Sequence, residues 1–247
     1  MARDLEAVVF DWGGTLSVWA EVDLEDVWRA AARHLRPADP QALIRKLMEV
    51  EERFWAGVEE SQTSDHLGGL LERATRELKM DVTGAVIEEA ATHHLDAWTR
   101  HIAHDPDAAG VLAELRGRKL RIGLLSNTLW PRRFHERFLE RDGLVDLIDE
   151  RLYTSDMPRT KPHPSVFRAA LDALQVTDPS KAVFVGDRPF DDIKGAKGVG
   201  MRAVLKPNPA VPEHDVEPDA VIDDLPSLIG VIDSWNRHLP EGDHSGR

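Results

Sequence analysis

Short apolar runs alternate with helical stretches along most of this chain. The runs "LEAVVF" (5–10), "LRIGLLS" (120–126), "ERLYT" (150–154), "AVFVG" (182–186) and "RAVL" (202–205) have strand length and favour aliphatic and β-branched residues. Runs that are apolar on both faces and separated by helices predict a parallel sheet covered on both sides. The fold class is therefore α/β, a doubly wound parallel sheet.

Between the first and second runs the period changes. Leu24, Val27, Trp28, Ala31 and Leu35 recur at helical spacing, as do Leu43, Leu47, Val50 and Phe54. Two further sets follow, Leu67, Leu70, Leu71, Ala74 and Leu78, then Ile87, Ala90, His94 and Trp98. So long a helical tract exceeds an ordinary crossover. Residues 17–98 are read as a helical insert, residues 1–16 and 99–237 as the α/β core, and 238–247 as a C-terminal tail expected to fray. The core resumes at "HDPDAAGVLAEL", where Asp105 is placed to cap a helix and Pro106 to occupy its first position. "KPNPAVPEHDVEPDA" (206–220) reads as a Pro-rich surface connection and "LPSLIGVIDSW" as a final helix.

Composition narrows the classes of activity. With 247 residues, 42% hydrophobic and 30% charged, the chain can bury a full core. A formal net charge of −13 disfavours nucleic acid and anionic membrane surfaces as partners. An anionic substrate must then be drawn in by a local positive group or a metal. There are no cysteines, which excludes disulfides, thiolate nucleophiles and Cys-ligated metals. The opening "MARDLEAVVF" has acids too early and an apolar run too short for a secretory signal, so a cytoplasmic location is expected.

Each strand end is followed by polar residues. The first ends at Asp11, the second at Ser126-Asn127 and the fourth at Gly186-Asp187. In open α/β sheets the site lies beyond the carboxyl ends of the strands, so these groups should converge. "RTKPHPSVF" adds Lys161, and "GDRPFDDIKGA" adds Asp191 and Asp192. Several carboxylates with one lysine and one serine suit a hard, oxygen-liganded cation such as Mg²⁺. Transfer of an anionic group to a carboxylate is the chemistry such a set supports.

The set "VVFDWGGTL", "RIGLLSNT", "RTKPHPSVF" and "VFVGDRPFDDIKGAKGVGM" resembles, in order and spacing, the four motifs of the haloacid dehalogenase-like (HAD) hydrolases. The resemblance implies a Rossmann-like core with a helical cap inserted after the first motif. It implies that Asp11 is a nucleophile forming an aspartyl intermediate, that Ser126 hydrogen-bonds the transferred group, and that Lys161 neutralises it. It implies Mg²⁺ held by Asp11, the Gly13 carbonyl, Asp187 and Asp192, with a small phosphorylated metabolite as substrate. Asp191 is a weaker candidate, also suited to starting a helix. Thr15 would steady the turn, and the Gly13-Gly14 pair would let the chain bend out of the strand. Thr15, Asn127 and Trp12 are further candidates for substrate contact, and Trp19 flanks the same entrance.

One departure stands out. Phosphatases of that family carry a second Asp two residues after the nucleophile, which protonates the leaving group; here the position is Gly13. The family's dehalogenases have an aromatic there and weaken the metal-binding acids, whereas this chain keeps Asp187 and Asp192. Its phosphonoacetaldehyde hydrolases have a similar "DWAGT"-like motif and use a cap lysine as a Schiff base, for which the insert offers Lys46 and Lys79. The readings are thus a Mg²⁺-dependent phosphatase, a catalytically weakened member that binds a phosphometabolite or protein partner, and a phosphonoacetaldehyde hydrolase-like or dehalogenase-like hydrolase. His93, His94, His101 and His104 crowd the junction of insert and core without the spacing of a recognised metal site, so structural or hinge roles are expected. The amphipathic helices of the insert specify neither a substrate nor an assembly state.

Overall fold

β1 (Ala7–Phe10) is buried on both sides, as its uninterrupted apolar run requires. The computed structural model describes residues 5–237. Four helices follow β1 without an intervening strand: α1 (Leu24–Leu35), α2 (Pro40–Ser61), α3 (Leu67–Glu77) and α4 (Gly84–Thr99). Then come α5 (Ala108–Gly117), β2 (Arg121–Ser126), α6 (Arg132–Arg141), β3 (Glu150–Tyr153), α7 (Pro164–Ala173) and β4 (Ala182–Gly186). A wide helical turn over Pro189–Lys194 leads into the short α8 (Gly195–Gly198), followed by β5 (Arg202–Leu205), β6 (Ala220–Val221) and α9 (Ser227–Arg237). The expected tail, 238–247, lies outside the described residues.

All strand pairs are parallel and run in the order β3-β2-β1-β4-β5-β6. The chain first steps outward from β1 through β2 to β3, then returns to the other side of β1 at β4. The carboxyl ends of β1 and β4 therefore flank the point where strand order reverses, and there an α/β sheet opens a crevice.

Alternate residues of β1 serve opposite layers. Val8 and Phe10 join Ile122, Leu124, Val183 and Val185 on the face covered by Leu112 and Leu115 of α5, Phe134 and Phe138 of α6 and Leu228 of α9. Ala7 and Val9 join Leu125, Phe184 and Ala203 on the face covered by Val166, Phe167 and Leu171 of α7 and by Ala196 of α8. A one-residue slip would exchange the two sets, so burial fixes the register.

The helices of the insert bury the residues that the sequence periodicity selects, among them Trp28, Leu47, Leu70 and Ala90, although Leu24 at the start of α1 is exposed. Asp23 and Asp39 cap α1 and α2 by accepting backbone N–H groups. The α2–α3 loop docks on the core close to Lys161. Gln62 O accepts the Thr160 N–H at 3.1 Å, Pro158 O accepts the Ser64 N–H at 3.2 Å and Leu129 O accepts the Leu67 N–H at 2.8 Å.

Two expectations are corrected. α5 begins at Ala108, not at Pro106, because Asp105 closes a separate turn: its side chain accepts the Asp107 N–H and its carbonyl the Ala108 N–H. The Pro-rich connection leads into β6, a two-residue strand beside β5 that is too short to leave a pattern in the sequence. No helix among the described residues is long and apolar enough to cross a membrane.

Candidate active site

Asp11 is the first residue past β1. Its N–H still bonds Val185 O at 2.9 Å, so the backbone remains tied to β4 while the side chain enters the crevice. Asp11 is only 5% exposed. Burying such a charge is costly unless a counter-charge accompanies it. Lys161 supplies one: its fully buried Nζ lies 2.6 Å from Asp11 Oδ1 and 2.7 Å from Asp192 Oδ1.

Asn127 holds Lys161 in place. Its carboxamide accepts the Lys161 N–H at 2.8 Å and donates to the Lys161 carbonyl at 3.0 Å. The Asn127 side chain, expected to meet substrate, serves the backbone of the lysine in this arrangement. Ser126, at the end of β2, is buried, and its hydroxyl makes no hydrogen bond among the described residues.

Asp187 follows β4. Asn208 donates to its Oδ2 at 2.7 Å, whereas its buried Oδ1 has no partner among the described residues. Two glycines allow the crowding. At Gly14, with φ +78°, an added Cβ would stand 2.3 Å from Asp187 Oδ2, and at Gly186 one would stand 2.3 Å from Asp192 Oδ2. Either contact is impossible for a real side chain. Gly13 differs from both, because nothing lies within 4 Å of a Cβ built on it and its φ is outside the left-handed region. The bend attributed to the glycine pair thus needs Gly14 alone.

The electrostatics are unbalanced. Asp11, Asp187 and Asp192 place carboxylate oxygens within 4.8 Å of one another, and one ammonium answers them. Burial pushes Asp11 up to about 6 against the pull of Lys161, with Asp192 adding to the rise. Burial, then Asp11 and Asp192, raise Asp187 to about 7. For Lys161 burial opposes the charge, but Asp11 and Asp192 overcome it and hold the ammonium above an ordinary lysine. A dry set of oxygen donors with excess negative charge and one unpaired oxygen fits a hard divalent cation. Asp191 stands beside this set, raised to about 7 by burial and then by Asp192.

The remaining expected residues lie around this centre. Thr15 is fully buried with its hydroxyl unpaired. Trp12 turns into an aromatic cluster with Trp130 and His135, and its indole N–H donates to His104 Nε2 at 3.1 Å. Since that nitrogen accepts, the proton of neutral His104 sits on Nδ1, which donates to Asp142 Oδ2 at 2.7 Å. The Trp12 side chain, expected to meet substrate, is held in this cluster one residue after Asp11. Trp19, by contrast, is 42% exposed, with the Arg188 guanidinium 6.0 Å from its ring centroid.

Arg188, Lys206 and Asn208 are functional candidates that sequence reasoning passed over. Arg188 lies 3.8 Å from Asp191, and its N–H donates to Asp192 Oδ2 at 2.9 Å. Lys206 Nζ donates to the Gly14 carbonyl at 3.2 Å. The available signal was position alone, since Arg188 directly follows Asp187 and Lys206 directly follows β5.

Comparison with known proteins agrees with this architecture. The family model for hydrolases of the haloacid dehalogenase-like type matches residues 5–200. A glyceraldehyde 3-phosphate phosphatase of Pyrococcus furiosus is 29% identical over 99% of this chain and 100% of its own length. A phosphoserine phosphatase of Thermus thermophilus is 34% identical over 64% of this chain and 63% of its own. Among solved structures, a 2-haloacid dehalogenase from Pseudomonas syringae superposes with a TM-score of 0.65 at 26% identity, covering 94% of this chain and 99% of its own. The chain belongs to the haloacid dehalogenase-like hydrolases. It is an enzyme of that family with the family's parallel α/β core.

Proposed function

We propose that the protein is a Mg²⁺-dependent phosphatase that transfers the phosphoryl group of a small phosphorylated metabolite to Asp11 and then to water. The observation that carries this reading is the division of labour on the Asp11 carboxylate. Lys161 holds Oδ1, while Oδ2 accepts no hydrogen bond among the described residues, and the carboxylate is clustered with that of Asp187, whose Oδ1 has no partner among them. Asp11, Asp187 and Asp192, with the Gly13 carbonyl, would hold the cation. When bound, it supplies the charge neutralisation that lets a phosphate ester approach three carboxylates.

The residues of the chain then have defined tasks. Asp11 Oδ2 attacks phosphorus, forming an acyl phosphate as the bond from phosphorus to the ester oxygen breaks. Lys161 keeps the attacking carboxylate oriented and its charge balanced, and the Ser126 hydroxyl donates to a phosphoryl oxygen. Water then attacks the phosphorus of the acyl phosphate, releasing inorganic phosphate and restoring Asp11. Arg188 and Lys206, 3.8 Å from Asp191 and Asp105 respectively, are cations beside the cluster that can turn toward an incoming phosphate on a chain of net charge −13. The helical insert acts as a cap, docked through the α2–α3 loop beside the segment that delivers Lys161.

The relatives support a small phosphorylated metabolite, and the end-to-end match to a glyceraldehyde 3-phosphate phosphatase makes a triose phosphate the first substrate to try. Two alternatives fit less well. A Schiff-base mechanism needs a neutral lysine, but Lys46 is held as an ammonium by Glu49 at 2.6 Å and Glu77 at 3.4 Å, and its pKa is raised by those contacts. Metal-free dehalogenation leaves the close-packed Asp187 and Asp192 without a task. The test is phosphate release from an aryl phosphate and from a panel of sugar, triose and amino-acid phosphates, with Mg²⁺ and with EDTA. Mg²⁺-dependent release that EDTA abolishes is expected; release unaffected by EDTA, or none from any ester, overturns the reading.

A further inference from the structure

The histidines of the helical insert stand in different surroundings. His94 is packed away against Trp28, with ring centroids 4.0 Å apart. That contact sets α1 antiparallel to α4 in a register that brings the last turn of α1 opposite the middle of α4. There His34 and His93 lie face to face, their ring centroids 3.4 Å apart and their planes 2° from parallel. Glu89 precedes His93 by one helical turn and so shares its face. Its Oε1 is 3.6 Å from His34 Nδ1. One donor atom from each of the three residues lies within 4.8 Å of the other two. Among the described residues, no lysine or arginine pairs with Glu89.

We propose that His34, Glu89 and His93 form a surface site for a divalent transition-metal ion of the Zn²⁺ type, separate from the carboxylate cluster and joining α1 to α4. Two imidazoles and one carboxylate are the donor set of such ions, whereas Mg²⁺ and Ca²⁺ select oxygen alone. Bonds of about 2.0–2.2 Å in a tetrahedral site place donors roughly 3.3 Å apart. The observed spacing reaches that value by side-chain rotation, which is open to residues with side chains 33% exposed at His34 and 60% exposed at Glu89. Water completes the coordination, so the ion binds reversibly. The two helices it joins are already packed, so little ordering of the backbone opposes binding.

The site and the catalytic cluster differ in chemistry, and the experiment exploits this. Zn²⁺ is titrated by calorimetry into the untagged full-length protein in millimolar Mg²⁺, using the parent and the His34→Gln, His93→Gln and double variants. One equivalent is expected to bind the parent, with affinity falling ~10-fold or more in each single variant, since each loses one of three ligands. Thermal unfolding should show a Zn²⁺-induced rise in Tm in the parent that the double variant lacks. The Gln variants retain the polar surface, and their circular dichroism without metal reports that they fold. Equal Zn²⁺ binding by the parent and the folded double variant overturns the proposal, as does failure of the parent to bind under these conditions.

Discussion

Asp11 and Lys161 stand 150 residues apart in the chain and meet with 2.6 Å between Oδ1 and Nζ, both withdrawn from solvent. Neither could be buried alone, and Asp192 shares the same ammonium at 2.7 Å. Lys161→Met should therefore destabilise the fold by about 3–5 kcal/mol, the usual result of stranding a buried charge. Protonation relieves part of that loss. Carboxylates whose folded pKa is raised make the folded state less stable as pH rises, so the deficit should be larger near about pH 8 than near about pH 5.5. Urea unfolding in EDTA at the two pH values measures it, and a variant as stable as the parent at the higher pH refutes the buried triad.

Asp11→Asn should behave in the opposite way toward stability. Lys161 keeps Asp192 as a partner, and one of three crowded carboxylates loses its charge. Melting in EDTA should be no lower than for the parent, while the proposed role of Asp11 as nucleophile requires turnover to fall by at least ~10³-fold. Activity within tenfold of the parent excludes a covalent role for Asp11.

The strands and the strand-end residues were legible because their signals are local. An apolar run that stops at an acid places Asp11, and another places Asp187, wherever the rest of the chain goes. The four helices α1 to α4 were legible because four amphipathic faces can bury themselves only as packed helices. What stayed hidden depends on approaches between distant segments. Asn127 looked like a substrate ligand, and only the packing of β2 beside the Lys161 segment shows where its carboxamide goes. The chain from Trp12 through His104 to Asp142 joins three segments with no common pattern. Asn208 sits in a Pro-rich connection that reads as featureless, and His34 meets His93 only through helix pairing.

Metal binding should depend on pH with a definite sign. A cation must displace the protons that Asp11, near 6, and Asp187, near 7, retain in its absence. The rise in Tm produced by Mg²⁺ over EDTA should therefore grow as pH rises from about 5.5 to about 8. Asp187→Ala should remove most of this rise and Asp191→Ala less of it, since Asp191 lies outside the set of three oxygens. Equal losses from both variants refute the assignment.

Acid should destabilise the core through a different group. His135 is buried between Trp12 and Tyr153, and burial, with a smaller push from His104, lowers its pKa to about 3. A folded pKa below the unfolded value means that the unfolded chain takes up the proton first. Stability from this residue is thus full above about pH 6.5 and declines as pH falls toward the folded pKa. His135→Phe should make Tm depend less steeply on pH between about 6.5 and 4, at some cost at neutral pH from the lost bond to Thr128. An unchanged slope assigns the acid sensitivity elsewhere.

Gly13 should set how strongly turnover depends on the leaving group of the ester. A phosphatase that lacks an acid at this position, with none supplied from elsewhere, must expel its leaving group unprotonated, which slows alkyl esters, a triose phosphate included, far more than aryl esters. The parent should thus cleave aryl phosphates far faster than alkyl phosphates. Gly13→Asp should raise alkyl turnover selectively, by up to the ~10²–10⁴-fold that a positioned general acid supplies. The backbone permits the change: a Cβ at residue 13 meets nothing within 4 Å, and its φ is one that any L-residue adopts. Gly14→Ala is the contrasting control. Its Cβ would fall 2.3 Å from Asp187 Oδ2 at φ +78°, so it should lower the Mg²⁺-induced rise in Tm and activity on both ester classes together. If Gly13→Asp leaves Mg²⁺ binding intact but lowers activity on every ester, the space above Gly13 belongs to the substrate or to a cap side chain. If the parent already cleaves alkyl phosphates as fast as aryl ones, the proton comes from another residue and Gly13 is not the determinant.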